Sequence, residues 1–173
     1  MLNMEAQLMI ITASKKLPEE YKNDIHCLLI SSFNLSAPPP FDYCFTALRN
    51  GEVIGFCAAA KRSISVIKMD HELFLLGLCT IDEKHRKRGY GSALLQYAVL
   101  HLRDNNCKGI ILNCGKDRVP FYTANGFKLI SEKARYSRNG HIEEDNDPVL
   151  LYLYSDEGME DFYADSVFLG TDF

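Results

Sequence analysis

The sequence predicts a mixed α/β fold, one central sheet with helices on its faces. Three observations carry that expectation. Short apolar runs of strand length alternate with stretches of helical period. An Asn50-Gly51 pair stands between two such runs, a strong hairpin signal. A buried-type strand, "ELFLLGLCTI", runs straight into a basic, glycine-containing turn and then an amphipathic helix. At 173 residues the chain is most simply one domain, long enough to bury a sizeable core.

The elements follow in order. "AQLMIIT" (6–12) alternates and reads as a first strand; an acid stands before it where an export signal wants basic residues. "LPEEYKNDIHCLLISSF" opens with Pro18 and two acids, good helix-opening chemistry, and places Ile25, Leu28, Leu29 and Ser32 on one face. "FNLSAPPPFD" is a loop. "YCFTALRNGEVIGFCAAAKR" gives two strands around Asn50-Gly51. From Gly91 to about Asn105 a helix carries the stripe Leu94, Leu95, Ala98, Leu102. "GIILNC" is a buried strand, and "KDRVPFYTAN" a short helix capped by Asp117 or a neighbour and stopped by Gly126. "FKLISEKARY", a polar loop "SRNGHIEEDNDP" and the strand "VLLYLY" complete the order β-α-β-β-β-α-β-α-β-β. The end, "SDEGMEDFYADSVFLGTDF", mixes acids with aromatics. Three fates are open to it: docking on the body, pairing subunits in a homodimer, or staying mobile.

Composition excludes several function classes. Hydrophobic content of 47% and charge of 24% suit an ordinary globular protein. No apolar run approaches the roughly 20 residues of a membrane helix, so no membrane partner is expected. Six cysteines lie scattered without a C-x-x-C pair; they fit reduced thiols in a cytoplasmic protein better than disulfides or a metal site. The net charge of −4 hides a division: residues 1–140 carry a balance of +6, and residues 141–173 one of −10 with no Lys or Arg. The basic part suits an anion, while the total does not favour nucleic acid.

The basic turn "HRKRGYGSALL" (85–95) suits a pyrophosphate. Helix-opening amides have no internal partners and carry the positive end of the helix dipole. Gly89 and Gly91 admit close approach, and Lys84, Arg86, Lys87 and Arg88 add charge. The Walker A pattern is absent, and Leu94 occupies the place of the third glycine of a dinucleotide fingerprint.

Arg86-Lys87-Arg88-Gly89-Tyr90-Gly91 resembles the [QR]-x-x-G-x-[GA] signature of the GNAT superfamily of acetyl-CoA-dependent N-acetyltransferases. Phe121-Tyr122-Thr123-Ala124-Asn125-Gly126-Phe127 is similar to its second motif, F-Y-x-x-x-G-F. One helix and one strand separate the two, as in the family, and the likeness covers about residues 43–135. It implies a single mixed, mostly antiparallel central sheet of 6–7 strands with splayed middle strands, flanked by helices. The acetyltransferase domain would span 1–154, with 155–173 as its acidic, aromatic extension. It implies acetyl-CoA as cosubstrate and no metal. Amides from Arg86, Lys87, Arg88, Gly89, Tyr90, Gly91 and Ser92 would hold the pyrophosphate. The strand at Cys79, Thr80 and Ile81 would lie along the pantetheine arm.

Acetyl transfer to an amine needs the amine deprotonated, the oxyanion met by aimed donors and the leaving thiolate protonated. Tyr122 occupies the family's general-acid position. The alternative for Tyr122 is a core aromatic, on a helix where Phe121 points inward. Where some members place a glutamate, this chain has Leu75. His71, Glu72, Glu143, Glu144 and Asp145 are the other nearby titratable groups, and none is assigned as base. "IILNCGKDRVPFY" is similar to the glucosamine-6-phosphate N-acetyltransferase branch, whose acid is Asn113 here, a candidate contact to substrate or cofactor. The ending "SRNGHIEEDNDPVLLYLY" is loosely similar to aminoglycoside 2′-N-acetyltransferases, and implies a small, cationic primary amine as acceptor by direct transfer. Cys79 and Cys114 read as buried strand thiols, not nucleophiles. A non-catalytic acyl-CoA-binding module and a protein or peptide acetyltransferase are the alternatives.

Overall fold

The structure, a computed structural model, describes residues 8–66, 69–155 and 158–171. The chain divides into two compact units, Met1–Ala58 with Leu78–Ala98, and Ala59–Gly77 with Val99–Phe173.

In the first unit, β1 (Met9–Ser14) pairs antiparallel with β2 (Tyr43–Arg49), from Met9↔Arg49 to Ser14↔Cys44. The strand predicted over 6–12 therefore starts later and runs two residues further; residues 6 and 7 lie outside the described part. Between these strands a short 3-10 turn at Glu19–Tyr21 leads into α1 (Lys22–Phe33). Its stripe behaves as expected: Ile25, Leu28 and Leu29 are buried, and the Ser32 hydroxyl lies 2.7 Å from that of Thr80. Asn34 ends the helix in the left-handed conformation, φ 57°, with its N–H on the Ile30 carbonyl. Asn50-Gly51 turns the chain into β3 (Glu52–Val66), and β4 (Met69–Ile81) follows; residues 59–77 of this stretch belong to the second unit. The next helix, α2 (Tyr90–Leu102), begins one residue before and ends three before the predicted limits.

In the second unit, β5 (Gly109–Asn113) runs parallel to β4 and pairs with it at Phe74↔Ile110 and Leu75↔Ile111. There the ladder stops and the strands part, which is the expected splay. The short α3 (Val119–Ala124) precedes β6 (Lys128–Ser131) and β7 (Ala134–Arg138). Two further strands are β8 (His141–Asp145) and β9 (Val149–Leu153), the latter antiparallel to both β5 and β6. The segment expected as a polar loop is instead a hairpin: β7 and β8 pair antiparallel from Ala134↔Asp145 to Arg138↔His141 around Asn139-Gly140. The polarity of β8 hid it, although the turn dipeptide is the same as at Asn50-Gly51.

The C-terminal segment docks. A 3-10 turn at Met159–Phe162 buries Met159 and Phe162, and β10 (Val167–Thr171) runs parallel to β7. On its other side Phe168 pairs with Ser65 of β3. Met159, Phe162, Val167 and Leu169 join Leu73, Leu75, Ile111, Tyr136 and Leu151 in one buried cluster.

The hydrogen-bonded order is β6-β9-β5-β4-β3-β10-β7-β8, with β2 also on β3 and β1 beyond it. This is the mixed, mostly antiparallel sheet expected, with ten strands among the described residues where six or seven were anticipated. The surplus comes from β8, β10 and the division of "FKLISEKARY" into β6 and β7. Among the described residues no helix is long and apolar enough to cross a membrane.

Candidate active site

The basic turn is built from its scaffold outward. Asp82 N–H donates to the Ile54 carbonyl (2.8 Å), anchoring the end of β4. The Asp82 side chain then accepts the Lys84 amide at 2.9 Å and caps a 3-10 turn at Glu83–His85. Arg86 Nε donates to the Ile81 carbonyl at 2.8 Å. That arginine therefore ties the turn back to the strand, while Lys84, Lys87 and Arg88 stand exposed.

Lys87 and Gly89 both take left-handed backbone, φ 60° and 81°. Left-handed residues of this kind are what anion-binding nests are built from. At Gly89 nothing lies within 4 Å of where a Cβ would be, so the glycine serves conformation and approach, not packing. Helix α2 closes its first bond from Ala93 N–H to the Gly89 carbonyl at 3.0 Å. The amides of Tyr90 and Gly91 thus lie ahead of the helical ladder. The Tyr90 ring has the Arg49 guanidinium over its face at 5.8 Å and His85 at 6.3 Å, which holds the start of the helix.

The strand leading into the turn carries a feature that sequence reasoning missed. Leu78 has φ 55° in the middle of β4, a conformation a leucine adopts only when its surroundings impose it. The pleat breaks there: Leu73 to Leu76 are buried, and then Gly77, Leu78 and Cys79 are all half-exposed. Thr80 is buried with its hydroxyl beside Ser32, so its side chain is turned away from Cys79 and Ile81. Gly55 was also missed. A Cβ at that position would overlap the Ile81 side chain and lie 3.1 Å from the Thr80 carbonyl. A lone glycine in a strand pattern signals such close approach; nothing in the sequence signals Leu78.

In the second unit, Tyr122 is half-buried on α3. Its ring contacts Phe121 at 5.1 Å and Phe127 at 5.8 Å between centroids. Its carbonyl accepts the amides of Asn125 (3.0 Å) and Phe127 (3.1 Å), and Asn125 Nδ2 donates to the Phe121 carbonyl at 2.8 Å. Gly126 ends the helix as expected, at φ 91°, where a Cβ would sit 3.1 Å from the Tyr152 ring. Two details differ from expectation. Asp117 pairs with Arg118 Nε at 3.0 Å instead of capping the helix. Phe121 is 37% exposed and does not point inward. On a helix of six residues, one of two adjacent aromatics must leave the core side. Asn113 ends β5, half-buried opposite Val149.

The other titratable candidates have structural engagements. His71 is 3% exposed and packs against Phe162 at 4.3 Å. Burial, with the Lys108 ammonium beside it, pushes its imidazole below the ordinary histidine range. Glu72 pairs with Lys61 at 3.1 Å, and Leu75 is buried. On β8, Glu144 pairs with Lys133, and Glu143 and Asp145 share Arg138. Burial pushes the Cys114 thiol up to about 11, with Asp147 and Asp117 adding to it. Cys44, Cys57 and Cys107 are buried, Cys79 and Cys114 are partly so, and Cys27 is exposed. No group of three metal-ligating side chains occurs among the described residues.

YhbS from Escherichia coli, a GNAT family N-acetyltransferase solved in complex with CoA, superposes with a TM-score of 0.67 at 18% identity. The match covers 94% of this chain and 89% of that one. A GNAT family acetyltransferase from Brucella melitensis in complex with acetyl-CoA gives 0.60 at 14%, covering 91% and 94%. NAA60 from Arabidopsis thaliana in complex with acetyl-CoA gives 0.62 at 15%, covering 83% and 99%. At these identities the likeness is one of fold. No curated protein matches the chain in sequence. The acetyltransferase (GNAT) family itself matches residues 9–127, a span containing both the Arg86–Gly91 turn and the Tyr122 helix. The chain belongs to the acetyltransferase (GNAT) family.

Proposed function

We propose that this protein transfers the acetyl group of acetyl-CoA directly to the primary amine of a small, cationic acceptor, with Tyr122 as general acid. The observation that carries the reading is the turn at Arg86–Ser92. Two left-handed residues and the opening of a 13-residue helix leave the Tyr90 and Gly91 amides ahead of the helical ladder, beside exposed Lys87 and Arg88, and Arg86 ties the turn to Ile81. That arrangement fits a pyrophosphate. Related folds solved with CoA and acetyl-CoA support the same ligand.

In this reading the amides from Lys87 to Ser92 hold the pyrophosphate; that of Arg86, expected among them, donates instead to the Glu83 carbonyl at 3.3 Å. The backbone of Cys79, Thr80 and Ile81, set apart from the regular pleat by Leu78, lines the pantetheine arm as an added strand would. Asn113 is a further polar contact at the end of β5. Bound acetyl-CoA supplies an activated thioester. Tyr122 supplies the proton that the departing thiolate takes up, a general-acid task suited to a phenol. Direct transfer is supported by Cys114, whose thiol stays protonated near neutral pH. The cationic acceptor is supported by the acidic surplus after residue 140. With the β8 carboxylates paired, that surplus rests on Asp147, Glu160, Asp161 and Asp165 among the described residues.

An assay of CoA release over aminoglycosides, polyamines, amino sugars and peptides tests the reading. Turnover is expected with polyamines or aminoglycosides, and Tyr122→Phe is expected to lower kcat about a hundredfold or more while acetyl-CoA still binds. Unchanged turnover removes Tyr122 from the mechanism. Preference for peptides overturns the small-molecule acceptor, and slow hydrolysis without any acceptor favours a non-catalytic acyl-CoA-binding module.

A further inference from the structure

Two thiols face each other across the strands that enter the basic turn. At one end of the β3–β4 pair the Ser65 hydroxyl is bonded to the Asp70 carboxylate, and at the other Asp82 N–H donates to the Ile54 carbonyl. The strands are therefore antiparallel. Counting inward from Ile54 and Asp82, Gly55 stands opposite Ile81 and Cys57 opposite Cys79. The clash that a Cβ at Gly55 would make with Ile81 bears out this register. Leu78, where the pleat breaks, lies outside the counted stretch. Alternation from the hydrogen-bonded Ile54–Asp82 pair makes Cys57–Cys79 a non-hydrogen-bonded pair, with Cα atoms about 4.5 Å apart. That spacing lies inside the range of roughly 4.4–6.8 Å in which a disulfide closes without moving the backbone. The two thiols lie near enough for Cys79 to raise the Cys57 thiol further. Cys57 is buried, whereas Cys79 is partly exposed.

We propose that Cys57 and Cys79 form a reversible dithiol–disulfide pair that reacts with low-molecular-weight disulfides through Cys79. The Cys79 thiolate attacks one sulfur of the disulfide RSSR, breaking its S–S bond and releasing one thiol, which takes up a proton. Cys57, its proton lost to solvent, then attacks Cys79 Sγ and expels the second RSH. Two protein thiols are oxidised by two electrons and RSSR is reduced to two RSH. The order of attack follows from burial, which holds the Cys57 thiol well above its ordinary range, with Cys79 and Cys44 adding to it. Cys57 is thus the slower, resolving partner. The pairing stands on register alone. One consequence rests on the cofactor reading above: acetyl-CoA lying along Cys79–Ile81 covers the entry thiol.

The test is treatment of the full chain with oxidised glutathione, followed by peptide mapping without reduction. The expected product joins the Cys57 and Cys79 peptides with the loss of two hydrogens, while exposed Cys27 carries only a glutathione adduct. In Cys57→Ala the reaction is expected to stop at a glutathione adduct on Cys79. A lasting Cys79 adduct in the unsubstituted protein, linkage of either residue to Cys44, or an inert Cys79 beside a modified Cys27 overturns the proposal. Saturating acetyl-CoA is expected to slow the linkage about tenfold or more. Calorimetry of acetyl-CoA on the reduced protein separates the two failures. No binding defeats the cofactor reading and leaves the disulfide standing, and binding without slowing defeats the shielding.

Discussion

The two Asn-Gly hairpins make the same turn and do different work. Asn50 and Gly51 have φ of 52° and 81°, and Asn139 and Gly140 have 50° and 79°, so the backbone reverses alike in both. The first turn joins β2 to β3, which is buried on both faces over Ile54–Ala60 and has β4 on its far side. The second joins β7 to β8, an edge strand with four of five residues exposed and β7 as its sheet neighbour. Side-chain pairs compensate there: Lys133–Glu144 at 2.7 Å, Arg138–Glu143 at 2.8 Å and Arg138–Asp145 at 3.3 Å. A turn dipeptide dictates reversal whatever the polarity of its strands; the neighbours decide how much of the fold depends on it.

The largest break in this comparison is expected at Gly55, inside the first hairpin's second strand. Gly55→Ala drives a methyl into Ile81 and toward the Thr80 carbonyl, costing about 2–3 kcal/mol as an overpacked core does. Under the cofactor reading it also raises KM for acetyl-CoA more than it lowers kcat. Denaturant unfolding with steady-state kinetics checks both, and a midpoint within error of the parent would refute the close approach. Next come the turn glycines. Gly51→Ala and Gly140→Ala meet no neighbour within 4 Å, so each carries only the left-handed penalty of about 1–2 kcal/mol. The contrast lies in where it is read. Gly51→Ala is expected to lower the global unfolding midpoint, whereas Gly140→Ala mainly speeds amide exchange in β7 and β8. Equal midpoint shifts would mean that the second hairpin is as deeply integrated as the first. The smallest effect is that of Arg138→Ala, which removes two surface pairs. A loss within about 1 kcal/mol is expected, shrinking as salt rises; thermal unfolding at low and high salt tests this.

Legibility followed locality. The Arg86–Gly91 turn and the Phe121–Phe127 stretch were readable because turn, cap and anion chemistry lie in adjacent residues. Tyr122 was named for its place in a motif, and the exposure of Phe121 beside it came only from how a six-residue helix meets the sheet. The β7–β8 hairpin was missed because its strands lack apolar alternation, although Asn139-Gly140 was in plain view. His71 and Glu72, both weighed for the chemistry, proved to be engaged by Phe162, Lys108 and Lys61, partners remote in sequence.

By itself the sequence determined the element order in outline, the first hairpin, the buried stripe of α1, the glycine stop at Gly126 and the family. Each depends on backbone conformation or on periodicity within one segment. Tertiary structure alone decided that the acidic, aromatic end becomes β10, seated between β3 and β7 and burying Met159, Phe162, Val167 and Leu169. It also decided that Leu78 takes a left-handed conformation and that Cys57 lies near Cys79. The physical reason is common to all three. Sheet neighbours and register are set by contacts between distant segments, and the free energy of those contacts outweighs the preference of any one residue.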